Sequence, residues 1–210
     1  MLTFVYIGDI NMNSENKKNN NVLVIAGHPA KDSLCINLAK AYVQSATGAG
    51  HNVEFINLAD LNFNPNLQSG FAKDAPLEVD LQKAQESIRK ASHLVFVYPN
   101  WWGTMPALLK AFIDRVFLPG FAFQYIPGAM MPKKLLTGKS AHLIVTMDTP
   151  PWIYRYLLGN PGGKVMSKLI LGFCGIDVSQ TLYLGPVRNS EEKTRKDWIE
   201  KVTLLAKKIQ

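Results

Sequence analysis

The stretch from His93 to Tyr125 leaves the fewest folds open to this chain. It begins with H-L-V-F-V-Y, a near-continuous apolar run with the length and β-branched content of a strand buried on both faces. Pro99 ends that strand, because proline has no N–H to give to a ladder. Asn100 to Gly103 then form a loop carrying Trp101 and Trp102. Pro106 suits the first turn of a new helix, where a missing N–H costs nothing. A strand end, an aromatic loop and a helix start follow one another directly. In a parallel α/β sheet, ligands bind at such places, outside the carboxyl ends of the strands. Two indoles there offer a planar ligand a flat, apolar wall.

The rest of the chain repeats the alternation of strand and helix. Val22-Leu23-Val24-Ile25-Ala26 reads as a central parallel strand. Apolar residues at Leu34, Leu38, Ala41 and Tyr42 mark a helix that Gly48 and Gly50 end. Val53 to Leu58 is the second strand and Leu77 to Ala91 the second helix. An Asn-, Pro- and Gly-rich excursion, Asp60 to Pro76, lies between them. Gly120 to Gly138 is a second excursion, aromatic at Phe121, Phe123 and Tyr125. Ala141 to Thr146 is the fourth strand and Val178 to Leu184 the fifth. Met147 to Gly163, with three prolines, reads as a loop without regular helix, and Lys164 to Phe173 as a helix. Trp198, Val202, Leu205 and Ile209 share one face of a last helix.

This order predicts an α/β fold: a doubly wound, five-stranded parallel sheet in the flavodoxin-like order 2-1-3-4-5, with helices on both faces. The folded domain runs from 22 to 210. Residues 1–21 end in N-M-N-S-E-N-K-K-N-N-N and lack the basic start and cleavage site of a secretory signal. They read as a disordered N-terminal extension.

Composition narrows the class. A chain of 210 residues with 47% hydrophobic and 19% charged residues is that of one soluble globular domain with a sizeable core. No apolar run reaches the roughly 18 residues of a membrane span. Two cysteines, Cys35 and Cys174, are too few for a disulfide framework and fit a reducing, cytoplasmic setting. The net charge of +7 is scattered, with concentrations at Lys133-Lys134 and between Lys193 and Lys208. It reads as solvated helix faces or as an aid to anionic ligands. No recognition helix or RNA-binding motif accompanies it, so nucleic acid is not expected as a partner.

Three loops should meet at the carboxyl edge of the sheet: Gly27 to Cys35, Pro99 to Met105 and Thr146 to Tyr154. The first has neither G-x-G-x-x-G nor G-x-x-x-x-G-K. Ser33 can still cap a helix whose amides at Leu34 and Cys35 stay free, an arrangement that binds phosphate. Alone, it is equally an ordinary N-cap. His28 can contact a phosphate or pack on the loop. Trp101 and Trp102 have Pro, Asn and Gly around them, a loop setting that favours ligand contact over core packing. Thr146, Met147, Asp148 and Thr149 add hydroxyls and amides opposite, or are a Pro-rich connecting turn. The convergence of all three loops favours a binding site.

On these residues the chain resembles the flavodoxin-like NAD(P)H:quinone oxidoreductases. That family includes the mammalian quinone reductases, the bacterial modulator of drug activity B and the ancillary flavoprotein of a potassium efflux system. The matching residues are Val24-Ile25-Ala26-Gly27-His28-Pro29 with Ser33, and Tyr98-Pro99-x-x-Trp102. They continue through Pro106-Ala107-x-Leu109-Lys110, Asp114-Arg115-Val116-Phe117, Phe121-Ala122-Phe123-x-Tyr125 and Phe173-Cys174-Gly175. The likeness covers nearly everything from Val22 onward.

The resemblance implies a tightly bound flavin, FAD with FMN as the alternative. His28, Ser33, Leu34 and Cys35 would hold its phosphates. Pro99, Asn100, Trp101, Trp102 and Gly103 would line the ring, with Thr146, Met147, Asp148 and Thr149 at its pyrimidine side. It also implies NAD(P)H as donor, a quinone-like planar acceptor, ping-pong two-electron hydride transfer, and a homodimer with sites at the interface. Trp102 and Tyr154 are the residues expected at the chemistry, Tyr154 because it aligns with a tyrosine assigned to charge handling. No protein nucleophile or metal is required. A flavodoxin-type electron carrier and a flavoprotein regulatory subunit of a membrane transporter are the alternatives.

The chain departs from the family pattern at several positions. Cys35 stands where many members carry Asn, and reads as a packing position. Asp148 and Thr149 replace a frequent Gly pair; a carboxylate pointing inward there would lower the potential of the reduced ring. Asn160 replaces the His partner of the tyrosine. Glu191 and Glu192 lie where an Arg holds the adenine half of FAD.

Overall fold

The computed structural model describes residues 19–67, 70 and 76–209. In chain order the strands are β1 (Asn21–Ala26), β2 (Asn52–Asn57), β3 (His93–Pro99), β4 (Phe123–Gln124), β5 (Lys133–Lys134), β6 (Lys139–Thr146) and β7 (Ile176–Leu184). Five of them form one parallel sheet in the order β2-β1-β3-β6-β7, which is 2-1-3-4-5 when sheet strands alone are counted. β4 and β5 pair separately as an antiparallel ribbon inside the second excursion. β1 begins one residue earlier than the apolar pattern suggests. Asn20 is already buried, and most of the expected extension lies outside the described residues.

Every residue of β3 is buried because this strand is central and covered on both sides. Leu94, Phe96 and Tyr98 face a layer built on α2 (Val79–Lys90) and α3 (Ala107–Val116), where they meet Leu81, Ile88, Leu109 and Phe112. Val95 and Val97 face the other layer, α1 (Leu34–Gly48) with α6 (Glu192–Ala206), meeting Leu38, Tyr42, Trp198 and Val202. Edge strand β2 has no fully buried residue, and its first four positions alternate between exposed and half-buried.

The segment after β6 differs from the expected loop. The chain turns helical at Pro151 and passes through a π-helical segment, Ile153–Leu157. It turns helical again at α4 (Pro161–Lys164), a second π-helical segment (Val165–Leu171) and α5 (Gly172–Cys174). Of the prolines that suggested an irregular loop, Pro151 and Pro161 stand in first turns and Pro150 immediately before one, where the ring removes no helical hydrogen bond. π-helical turns are rare and gather near functional sites. Part of the first excursion lies outside the described residues. Its near end is held by the buried Arg115, whose guanidinium donates to Asn64 O at 2.5 Å and to Glu78 Oε2 at 2.6 Å.

At the amino end of the sheet, polar groups are buried under α1. The Tyr42 phenol bonds His142 Nδ1 at 2.8 Å and His93 Nε2 at 3.3 Å, and His93 Nδ1 bonds Ser140 Oγ at 2.7 Å. The two imidazoles meet edge-on with centroids 4.3 Å apart. Burial pushes His142 down to about 4, and burial with neighbouring His142 and His51 pushes His93 down to about 3. Both rings are neutral at physiological pH.

Candidate active site

The carboxyl ends of β1, β3 and β6 are tied level by backbone bonds. Gly27 N–H donates to Val97 O at 2.8 Å, and Asn100 N–H to Thr146 O at 2.7 Å. Gly27 lies close against α3: a Cβ there would be 2.9 Å from Leu109 Cδ2, and that side chain would have to shift to admit it. The three loops leaving these ends surround one cavity of about 410 Å³. Its wall takes His28, Ser33, Leu34 and Cys35 from the first loop, and Pro99, Asn100, Trp101, Trp102 and Gly103 from the second. Thr146, Met147, Asp148 and Thr149 come from the third, and Val187 from the turn after β7. Sequence reasoning missed Val187. The Gly185-Pro186 pair closing the fifth strand was the available signal for a loop at the same edge.

One end of the cavity suits an anion. Ser33 is the N-cap of α1, its Oγ accepting from Ile36 N–H at 3.3 Å. The amides of Leu34 and Cys35 precede any intrahelical acceptor and point out of the helix start. His28 Nδ1 accepts from Ala30 N–H at 3.0 Å, which fixes the ring against the loop and leaves Nε2 as its remaining polar atom. The ring also meets Trp101 edge-on at 5.4 Å.

The other end suits a flat apolar group. Trp101 and Thr104 exchange backbone bonds, Trp101 N–H to Thr104 O at 2.8 Å and Thr104 N–H to Trp101 O at 3.0 Å. The two residues between them, Trp102 with φ 53° and Gly103 with φ 80°, are both left-handed. That is the geometry of a tight I′ turn, in which Gly is at ease and Trp is strained. It turns the Trp102 side chain fully out to solvent. Across from it, Met147 N–H is spent on Leu184 O at 2.9 Å. The amides of Asp148 and Thr149 have no acceptor among the described residues.

Residues 20–204 match the profile of a family described as having a flavodoxin-like fold. The Pongo abelii ribosyldihydronicotinamide dehydrogenase (quinone) is 30% identical over 83% of this chain and 85% of its own. The FMN-dependent NADH:quinone oxidoreductase of Macrococcus caseolyticus is 28% identical over 89% of this chain and 98% of its own. A solved Streptococcus mutans protein superposes with a TM-score of 0.74 at 30% identity, covering 90% of this chain and 99% of that one. The chain belongs to the flavodoxin-like NAD(P)H:quinone oxidoreductase family.

Four family positions acquire a physical reading. Asp148 does not aim its carboxylate inward: Oδ1 accepts from Arg188 N–H at 2.8 Å, and Oδ2 faces Arg188 Nε at 3.9 Å. It ties the third loop to the turn after β7. Cys35 is buried, with Sγ 3.3 Å from Thr146 Oγ1. Burial pushes its thiol up to about 11, against a smaller opposing effect of that hydrogen bond, which keeps the thiol protonated in its packed position. Tyr154, expected at the chemistry, is not on the cavity wall. It stands buried behind the Trp101–Thr104 turn, its Oη donating to Gly103 O at 2.9 Å and accepting from Gly162 N–H at 2.8 Å. Asn160, in the place of a histidine, accepts from Tyr183 Oη at 2.7 Å through its side-chain carbonyl.

Two groups of exposed apolar side chains lie outside the cavity wall. Tyr125, Met130 and Met131 around the β4–β5 ribbon, and Trp152, Tyr156, Leu157 and Leu158 around the first π-helical segment, are exposed.

Proposed function

We propose that this chain is a flavin-dependent NAD(P)H oxidoreductase that reduces quinones and similarly flat acceptors by two electrons in a ping-pong cycle. The observation that carries the reading is the pairing, across one cavity of about 410 Å³, of a capped helix start with an aromatic turn. One binds an anion and the other a planar apolar ring, and a flavin nucleotide has both. His28, Ser33 and the amides of Leu34 and Cys35 hold the phosphate. Pro99, Asn100, Trp101, Trp102 and Gly103 flank the ring. The free amides of Asp148 and Thr149, beside Thr146 and Met147, donate to its pyrimidine edge, where such donors favour negative charge. A flavin held by these residues would supply two-electron hydride chemistry between NAD(P)H and the acceptor. The residues around it keep both flat reactants stacked in turn on one face, which supplies the proximity.

Between the two flavins, FMN is the better match. The cavity holds one anion-binding helix start, and a relative spanning nearly the whole chain is named for FMN. FAD would need contacts for a second phosphate and an adenosine. The exposed apolar side chains around the β4–β5 ribbon and the first π-helical segment fit burial in a homodimer with the sites at its interface. Its two unpaired, buried thiols suit work in the cytoplasm.

The experiment is an absorbance spectrum of the purified protein, mass analysis of the released flavin, and NAD(P)H consumption with a quinone and no other protein. A yellow protein releasing FMN and turning over alone is the expected result. Protein that stays colourless after flavin is added would overturn the proposal.

A further inference from the structure

We infer that Tyr154 is a positioning residue: its phenol clamps the turn that carries Trp102 and relays no proton. The inference rests on the reading of the cavity as a flavin site. The turn has little to hold it by itself. It consists of two backbone hydrogen bonds between Trp101 and Thr104, enclosing two left-handed residues of which one is a tryptophan. Strain of this kind persists only where surrounding structure over-determines it. The restraint comes from behind, where Gly103 O receives the Tyr154 hydroxyl at 2.9 Å. The phenol oxygen in turn accepts from Gly162 N–H at 2.8 Å, so the turn is anchored through Tyr154 to the start of α4. Gly162 leaves room for this contact: a Cβ there would lie 2.5 Å from Gly103 O and 2.8 Å from Tyr154 Oη.

A relay would need a neighbour able to take the proton and pass it on. The partners of the Tyr154 hydroxyl are a backbone carbonyl and the backbone amides of Gly162 and Gly163, and none of them titrates. Asn160, at the position where a basic ring would stand, has no titratable atom, and its carbonyl is occupied by Tyr183 Oη at 2.7 Å. The Tyr154 ring is 2% exposed and packs 5.8 Å from the Tyr183 ring, away from the cavity wall. Burial raises its phenol above the ordinary value, which keeps the proton on oxygen. The π-helical turn on which Tyr154 sits gives the phenol this direction, with Leu158 N–H reaching back to Ile153 O at 3.0 Å.

Tyr154→Phe removes the hydroxyl and keeps the ring. In the flavin-free protein, amide hydrogen exchange at residues 101–104 should become about tenfold faster, the size set by one lost hydrogen bond. Exchange in β3 and α1 should not change. With flavin added, the variant should hold it more weakly and with brighter flavin fluorescence, because Trp102 quenches it less well. The pH profile of kcat/KM should keep its wild-type shape. Gly162→Ala keeps the phenol but crowds Gly103 O and Thr104 Cα as well as the hydroxyl, and carries the same expectation; unchanged exchange there overturns the inference if Tyr154→Phe loses its fold. Unchanged exchange at 101–104, or a pH profile that loses an ionisation, would overturn the inference. Exchange in the flavin-free protein is read without any cofactor. A wild-type protein that binds no flavin therefore overturns the proposed function and leaves the clamp standing or falling on its own.

Discussion

Alanine at Trp102 is expected to loosen flavin by about 10- to 100-fold, the range found when an aromatic platform loses its stacking partner at roughly 1–3 kcal/mol. Thermal stability should barely move. Trp102 is fully exposed, so nothing in the core is lost, and surface changes of this kind stay within about 0.5 kcal/mol. The separation of the two effects is the informative part. A side chain that serves packing takes stability with it, whereas one that serves a ligand does not. Titration of the flavin-free variant with FMN, beside a melting curve, reads both. Trp101→Ala is the contrast: Trp101 is less exposed and rests against His28 at 5.4 Å, so it should cost more stability. Wild-type flavin affinity in Trp102→Ala would remove the indole from the site.

Acid should unfold this protein through its buried histidines. His93 and His142 have folded-state values of about 3 and about 4, below the ordinary value of 6.5. The sign follows from which state binds protons. Between the two sets of values the unfolded chain takes up protons that the folded chain refuses, so stability falls as pH falls. The contribution is complete above pH 6.5 and is lost progressively as the pH drops toward 4 and then 3. Each histidine adds a slope of up to about 1.4 kcal/mol per pH unit. From pH 6 to 5 most carboxylates are still ionised, and the slope there should approach two protons. Urea unfolding at several pH values measures it. His142→Asn can keep a hydrogen bond to Tyr42 and cannot titrate, so it should lower the slope by one proton. A slope indifferent to that substitution would mean that the ring is charged in the folded state.

Much of the architecture could be read from short-range signals. Continuous apolar runs gave β1, β3 and β6. The punctuation Gly27, Pro99-to-Gly103 and Pro106 located two of the three loops, because those residues act on their own backbone. Contacts set at a distance were not legible. Asp148 could be placed on the third loop, but its direction depends on the backbone of Arg188, forty residues on. Tyr154 could be aligned, but where its hydroxyl goes depends on Gly103, fifty-one residues back. Pro150, Pro151 and Pro161 misled for a different reason. Proline breaks a helix interior and favours a helix start, and composition alone does not say which position it fills. The β4–β5 ribbon, two residues per strand, is too short to leave an alternating pattern.

The left-handed turn at Trp102 has a consequence for how such a sequence drifts. With φ at 53°, the position penalises every residue that carries a Cβ and exempts glycine. A population of random variants selected for heat resistance alone should therefore collect glycine at 102, while one selected for turnover should retain the indole. The residue found there reports which of the two pressures acted last.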